Sequence, residues 1–291
     1  MAVTASSQAP AGKLFVVGTP IGNLEDITLR AIRTLKSVDL IACEDTRRAQ
    51  KLLNHYGIKT RTVSYHSHNE ITRAPELILE MEEGSDVALV SDAGMPSLSD
   101  PGYRLVHLAI RHKIPVIPIP GGSALVTALS AAGLPSDRVI FAGFLPSKKT
   151  ARQKALKELS LSNFTLVFYE APHRLMETLE DALAVLGDRP LTVARELTKV
   201  HEEFLRGTIS EVLAALRQRR VKGEFTLVIG PSDRAAGRPA EPRRSVREEV
   251  QRVTKEQGVD ERTALKVIAR AWRVPRSELY RQWMREKSLA R

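Results

Sequence analysis

Short apolar runs alternate with amphipathic stretches along the first half of the chain. Residues 14–17, 39–43, 62–65, 87–90 and 114–119 each read as a buried strand. Between them apolar positions recur at helical spacing. One set is Ile27, Ala31, Ile32 and Leu35; another is Leu52, Leu53 and Tyr56, closed by Gly57 as a C-cap; a third is Leu77, Ile78 and Met81. After Pro101 the period resumes through Tyr103, Leu105, Val106, Leu108, Ala109 and Ile110. Strands alternating with helices predict an α/β fold with a mostly parallel sheet. Pro115 and Pro118 put the fifth strand near a sheet edge, because proline removes a ladder donor. Every strand opens into small or polar residues: 18–23, 44–47, 66–69, 91–99 and 121–123. Parallel strands gather such loops on one side, where open α/β sheets bind ligands.

The pattern changes after Gly133, Leu134, Pro135 and Ser136, a boundary between two α/β units over 13–132 and 133–230. Strands are expected at 139–144, 164–169, 191–194, 203–205 and 225–229, with helices from Arg174 to about Leu186 and Ser210 to Arg217. Their uneven spacing suggests a mixed sheet. Residues 231–245, rich in Pro, Ala, Gly and Arg, read as a linker. Residues 246–291 then hold three short helical patterns: Val246, Val250 and Val253; Ala264, Leu265, Val267, Ile268 and Trp272; and, N-capped by Ser277, Leu279, Tyr280, Trp283 and Met284. Together they resemble a helix-turn-helix. Residues 1–12 read as a disordered leader without an apolar signal core.

Charge is uneven. Lys+Arg balance Asp+Glu over 1–130, exceed them by 3 over 131–232 and by 7 over 233–291, giving +10 in 291 residues. A basic last fifth carrying Trp272, Tyr280 and Trp283 points to a small nucleic-acid-binding module. Cys43 is the one cysteine, so neither a disulfide framework nor a thiolate cluster forms within the chain. That fits the reducing cytoplasm, and no apolar run reaches membrane-span length.

Several strand ends carry candidate chemistry. Gly18–Gly22 is neither G-x-G-x-x-G nor a Walker A loop, which argues against the usual dinucleotide or triphosphate cradles. Two glycines before Ser123 and Ala124 let backbone N–H groups meet a carboxylate or ribose at a helix start. In 44–47 one of Asp45 and Thr46 suffices to cap the following helix, leaving Glu44 and Arg47 for binding or catalysis. His66 and His68 near Glu70 lack a further ligand cluster, so no metal is expected. Charged clusters at 170–174 and 195–201 sit on corresponding strand ends of the second unit. One such cluster is usually a solvated surface; two facing a cleft are harder to dismiss.

The segments 14–30 (LFVVGTPIGNLEDITLR), 43–47 (CEDTR), 90–102 (VSDAGMPSLSDPG), 120–124 (PGGSA), 169–174 (YEAPHR) and 194–199 (ARELTK) resemble, in order, the ribosomal RNA small subunit methyltransferase I family of the tetrapyrrole methylase superfamily. The resemblance covers about 13–230, and the tail is similar to that family's appended helix-turn-helix. It implies a two-domain tetrapyrrole-methylase-like architecture with S-adenosyl-L-methionine in the cleft. It further implies 2′-O-ribose methylation of a cytidine in the decoding region of small-subunit (16S) ribosomal RNA, free or in the assembled subunit, by a homodimer. Carried onto this sequence, Pro20, Asp92, Ala93, Gly94, Ser97, Ser123, Ala124 and Tyr169 would hold the cofactor. Glu44, Asp45 and Glu170 are then candidates for taking or orienting the hydroxyl proton, and Arg47, His173 and Arg195 for steadying the RNA. Two rival readings remain at this point: a precorrin-type tetrapyrrole methyltransferase, which has little need of a basic tail, and a ligand-sensing DNA-binding regulator.

Overall fold

A computed structural model of the protein describes residues 11–160, 162–231, 245–272 and 274–288, without the side chains of Ala271 and Ser288. The expected linker at 231–245 and leader at 1–12 fall almost wholly outside those residues. Gly12 is inside them, and its N–H donates to Met81 O at 2.8 Å. The chain forms two compact units, residues 1–232 and 233–291.

The first unit holds two sheets. Strands β1 (Leu14–Val17), β2 (Leu40–Cys43), β3 (Arg61–Ser64), β4 (Val87–Val90) and β5 (Val116–Ile119) lie in the order β3-β2-β4-β1-β5. All pairings are parallel, and β5 is an edge strand, as its prolines required. Side chains alternate strictly across this sheet. Leu14, Val16, Leu40, Ala42, Val87 and Leu89 pack under α3 (Glu70–Glu82) and α4 (Tyr103–Arg111). Val17, Ile41, Cys43, Ala88 and Val90 pack under α1 (Leu29–Ser37) and α2 (Thr46–His55). With both faces covered, β2 and β4 are buried at every position, which is why they read as continuous apolar runs.

The second sheet is mixed. β6 (Val139–Phe144), β7 (Thr165–Glu170), β8 (Pro190–Arg195), β9 (Glu203–Thr208) and β10 (Phe225–Ile229) run in the order β6-β7-β10-β8-β9, and only β6 and β7 are parallel. One face is covered by α6 (Lys149–Ser160), α7 (Leu175–Leu186) and α8 (Ile209–Arg217). The other receives α5 (Ala124–Ala132), the helix that leaves the first sheet. Ala128 and Ala132 pack on Val167, Ala194 and Val228. Small residues on α5 permit that close approach. Thr192 and Arg206 bind the carbonyls of Ala132 and Ala131, fixing the far end of the helix.

Helix α6 escapes sequence reading because its sequence, KTARQKALKELS, has few apolar positions. A buried guanidinium anchors it: Arg152 Nε donates to Asp181 at 2.7 Å, and its other nitrogens reach Ser147 O and Glu177.

The second unit is a three-helix cluster of α9 (Val246–Gln257), α10 (Glu261–Trp272) and α11 (Arg276–Ser288) around Val250, Leu265, Ile268, Leu279 and Trp283. Ser245 and Glu248 form a capping box on α9. Helix α11 begins at Arg276, ahead of the Ser277 cap read from sequence, because Pro275 O accepts from the N–H of Glu278 and Leu279. Among the described residues no helix is long and apolar enough to cross a membrane.

Candidate active site

The loops at the carboxyl ends of β1, β4 and β5 meet so closely that they exclude side chains. A Cβ on Gly121 would lie 2.5 Å from Gly18 O, and one on Gly18 would lie 2.7 Å from the Gly121 backbone. Thr19 and Gly94 exchange backbone hydrogen bonds at 2.9 and 3.2 Å, with Gly94 at φ 85°. The β1 loop also reaches the second sheet, since a Cβ on Gly22 would strike Lys199 and Leu197 O.

These contacts enclose a cavity of about 320 Å³ between the two sheets of the first unit. Ala93 and Gly94 line it from β4, Ser123 and Ala124 from the first turn of α5, and Tyr169 and Glu170 from β7. Ile21, Leu98, Phe144 and Leu197 give it an apolar lining. Ser123 makes no capping hydrogen bond with its side chain, and the Leu125 N–H donates to Tyr169 Oη at 3.2 Å. Phe141 and Phe144 hold the Tyr169 ring edge-on, at 4.9 and 5.7 Å between centroids.

Six of the residues expected to act in the site therefore share one cavity, and the others lie elsewhere. Pro20 and Asp92 line a smaller cavity of about 120 Å³ beside Arg48. There Asp92 ties two strand ends together: it accepts from the Asp45 N–H at 3.1 Å and pairs with Arg48 at 3.2 Å. Ser97 sits at φ 70° with its hydroxyl buried and unpartnered, outside the cavity lining. Asp45 is the cap of α2, accepting from the Arg47 N–H at 2.8 Å, and the exposed Arg47 guanidinium folds back on it. Arg195 donates to Lys222 O and pairs with Glu203. His173 is exposed.

Glu170 is buried and fully engaged. Thr178 Oγ1 donates to one carboxylate oxygen at 2.6 Å; the Ala171 N–H donates to the other, and Arg174 lies 3.4 Å from it. Each carboxylate oxygen of Glu170 is thus engaged by the protein.

Glu44 is different. Together with Asp100, a residue the sequence reading passed over, it lies where a second groove of about 570 Å³ opens. Neither makes an ion pair with a described residue. Burial, then the charge of Asp92, raises the Glu44 carboxyl above the usual range. Burial, then the charge of Glu44, pushes Asp100 up to about 6. Asp100 lines both this groove and the 320 Å³ cavity. Its signal lay inside the 90–102 segment, but a residue before Pro101 at a helix start reads as turn chemistry. Cys43 beneath them is pushed up to about 11, first by burial, and stays an inert thiol.

Residues 13–213 match the tetrapyrrole (corrin/porphyrin) methylase family. The ribosomal RNA small subunit methyltransferase I of Halalkalibacterium halodurans is 56% identical over 75% of this chain and 75% of its own length. The protein of that name from Synechocystis is 47% identical over 92% of this chain and 96% of its own. The chain belongs to the ribosomal RNA small subunit methyltransferase I family. Membership makes it a methyltransferase, and the regulator reading falls away. Among solved structures, a cobalt precorrin-4 methyltransferase of cobalamin biosynthesis superposes with a TM-score of 0.57 at 19% identity, over 75% of this chain and 94% of its own. That likeness is one of fold: the family keeps the two-sheet arrangement that frames the cavity.

Proposed function

We propose that the protein transfers a methyl group from S-adenosyl-L-methionine to the ribose 2′-oxygen of a cytidine in small-subunit ribosomal RNA. The reading rests above all on the 56% identity to a ribosomal RNA small subunit methyltransferase I. The 320 Å³ cavity suits the cofactor chemically: the close glycines leave backbone exposed, the first turn of α5 offers N–H groups to a carboxylate, and the apolar lining accepts a flat ring. Ala93, Gly94, Ser123, Ala124 and Tyr169 would hold it, with Asp92, Pro20 and Ser97 shaping the loops behind them. The cofactor supplies a sulfonium-bound methyl group. Alignment of the acceptor with that methyl is the main task of the protein, worth roughly 7–11 kcal/mol in ideal cases. A ribose hydroxyl also needs help losing its proton. Of Glu44, Asp45 and Glu170, Glu44 alone lines the groove beside this cavity; Asp45 caps α2, and Glu170 is held by Thr178, the Ala171 N–H and Arg174.

A division of labour follows: residues 13–132 and 133–230 carry the chemistry, and 246–291 binds RNA through the linker 231–245. On α10, Arg262, Lys266 and Arg270 recur every fourth position and are exposed, a spacing that aligns cations along one helix face. Arg47 and His173, both exposed, are placed to meet phosphates; Arg195, held by Lys222 O and Glu203, supports the β8 end. The enzyme acts in the cytoplasm as a homodimer. A tetrapyrrole acceptor is less well supported, since the precorrin enzyme matches at 19% identity only.

Incubation with methyl-labelled S-adenosyl-L-methionine and small ribosomal subunits, free RNA or duplex DNA tests this. Label in an alkali-resistant ribose of the small-subunit RNA is expected. Label confined to DNA, or none in any acceptor, overturns the reading.

A further inference from the structure

The 570 Å³ groove shares Ser99 and Asp100 with the 320 Å³ cavity. The smaller cavity at Pro20 and Asp92 shares no residue with it. In methyl transfer the attacking oxygen and the methyl carbon must come within about 3–3.5 Å in line. An acceptor outside the cofactor cavity meets that demand at a wall common to both spaces. The groove also carries a flat aromatic pair and a cation, alongside Glu44, Glu70 and Asp100. Tyr103 is 74% exposed and stacks on His107, with centroids 5.8 Å apart and planes at 23°. A single exposed aromatic is ordinary, but this flat pair stands on the groove itself. Beside it stands the half-exposed Arg104, whose Nε lies 3.7 Å from Glu70. The loop that forms the shared wall is strained: Ser97 and Ser99 hold φ of 70° and 68°, a left-handed conformation that L residues rarely adopt.

We infer that this groove seats the acceptor nucleotide of the RNA, with Tyr103 and His107 stacking on a base, Arg104 meeting a phosphate, and the Asp100 carboxylate on the shared wall taking the ribose hydroxyl proton. The inference rests on the methyl-transfer reading above. As the ribose oxygen bonds to the methyl carbon, the carbon–sulfur bond of the sulfonium breaks and a neutral thioether leaves. The hydroxyl proton passes to Asp100 and from there to water. The charge of Glu44, which lines the same groove, keeps the Asp100 carboxyl basic enough for that transfer. Unpaired bases stacked on aromatic side chains are the usual way single-stranded RNA is held.

The test uses the full chain and the variants Tyr103→Ala, Tyr103→Phe, Arg104→Ala and Asp100→Asn, each checked by thermal melting. Cofactor affinity is measured by calorimetry. RNA affinity is measured without cofactor, by anisotropy of a fluorescein-labelled fragment of small-subunit RNA. Tyr103→Ala and Arg104→Ala should weaken RNA binding and raise the RNA KM about tenfold, with cofactor affinity unchanged and with Tyr103→Phe near wild type. Asp100→Asn should lower the single-turnover rate about 10²–10⁴-fold while both affinities hold within twofold. Wild-type RNA affinity in both groove variants, or a wild-type single-turnover rate in Asp100→Asn, overturns the groove assignment alone. No transfer to RNA by the wild-type protein overturns the methyl-transfer reading and the groove with it.

Discussion

The loops after β4 and after β7 both bring acids to the same cavity, and they use them in opposite ways. After β7, Glu170 lies buried with Thr178, the Ala171 N–H and Arg174 around its two oxygens. After β4, Asp100, with Glu44 of the β2 end as its neighbour, is partly buried without an ion pair, and both carboxyls are raised. In sequence the two strand ends look equally functional. What separates them is the supply of donors. A helix start, a threonine and an arginine reach Glu170, and the ion they stabilise is a structural one. The strained 97–99 turn brings few donors to Asp100, whose partner is the Ser91 hydroxyl, and a carboxylate with few partners becomes a better base.

The largest expected effect breaks the comparison if it fails. Glu170→Ala leaves Arg174 as an uncompensated, largely buried charge, and removing one partner of such a pair costs about 3–5 kcal/mol. Urea unfolding should show that loss, while the folded fraction of Glu170→Gln should keep its single-turnover rate. Unchanged stability with abolished transfer would put Glu170 among the catalytic acids, and the two loops would then be alike.

A smaller effect is expected where backbone meets backbone. Gly121→Ala places a Cβ against Gly18 O, and neither strand end can retreat, because each is tied into the sheet. Overpacking of this kind costs about 1–3 kcal/mol. The displaced β1 and β5 loops should also weaken cofactor binding in calorimetry. Gly57→Ala is the control: nothing lies within 4 Å of its added Cβ, and φ of 61° adds only local strain in a cap remote from the cavity. Equal cofactor affinity in the two variants would mean that the glycine contacts do not shape the site.

Much of this was legible along the chain, for identifiable reasons. Parallel strands buried on both faces announce themselves as apolar runs, and prolines marked the edge strand. Gly94, Ser123 and Ala124 stood out because a cavity at strand ends demands small residues and a helix start; Tyr169 came from the family resemblance. Three features were not legible. Helix α6 is held by the buried Arg152, whose partners Asp181 and Glu177 lie in α7. The commitment of Glu170 depends on Thr178, one helical segment away. Asp100 acquires its character from burial and then from Glu44, at the end of another strand. Local pattern reports which residues are polar; whether they are satisfied depends on contacts remote in sequence.

The finest test is the slope of stability with pH. Asp100 is faced by Glu44 from the end of β2, Asp92 from the end of β4 and Tyr169 from β7. Its carboxyl binds a proton more tightly in the fold, at about 6, than in the unfolded chain, near 3.8. Between those values the native state holds more protons, so the contribution of this group to stability falls as pH rises. The penalty is absent below the unfolded value and complete above the folded one. Asp100→Asn carries no such ionisation and also relieves Glu44, whose raised carboxyl has the same sign. The melting temperature of the variant relative to wild type should therefore climb from pH 4.5 to 6.5 and level off by pH 7.5. A flat difference for Asp100→Asn would mean that Asp100 is as well partnered as Glu170, and the contrast between the two loops would lose its physical basis.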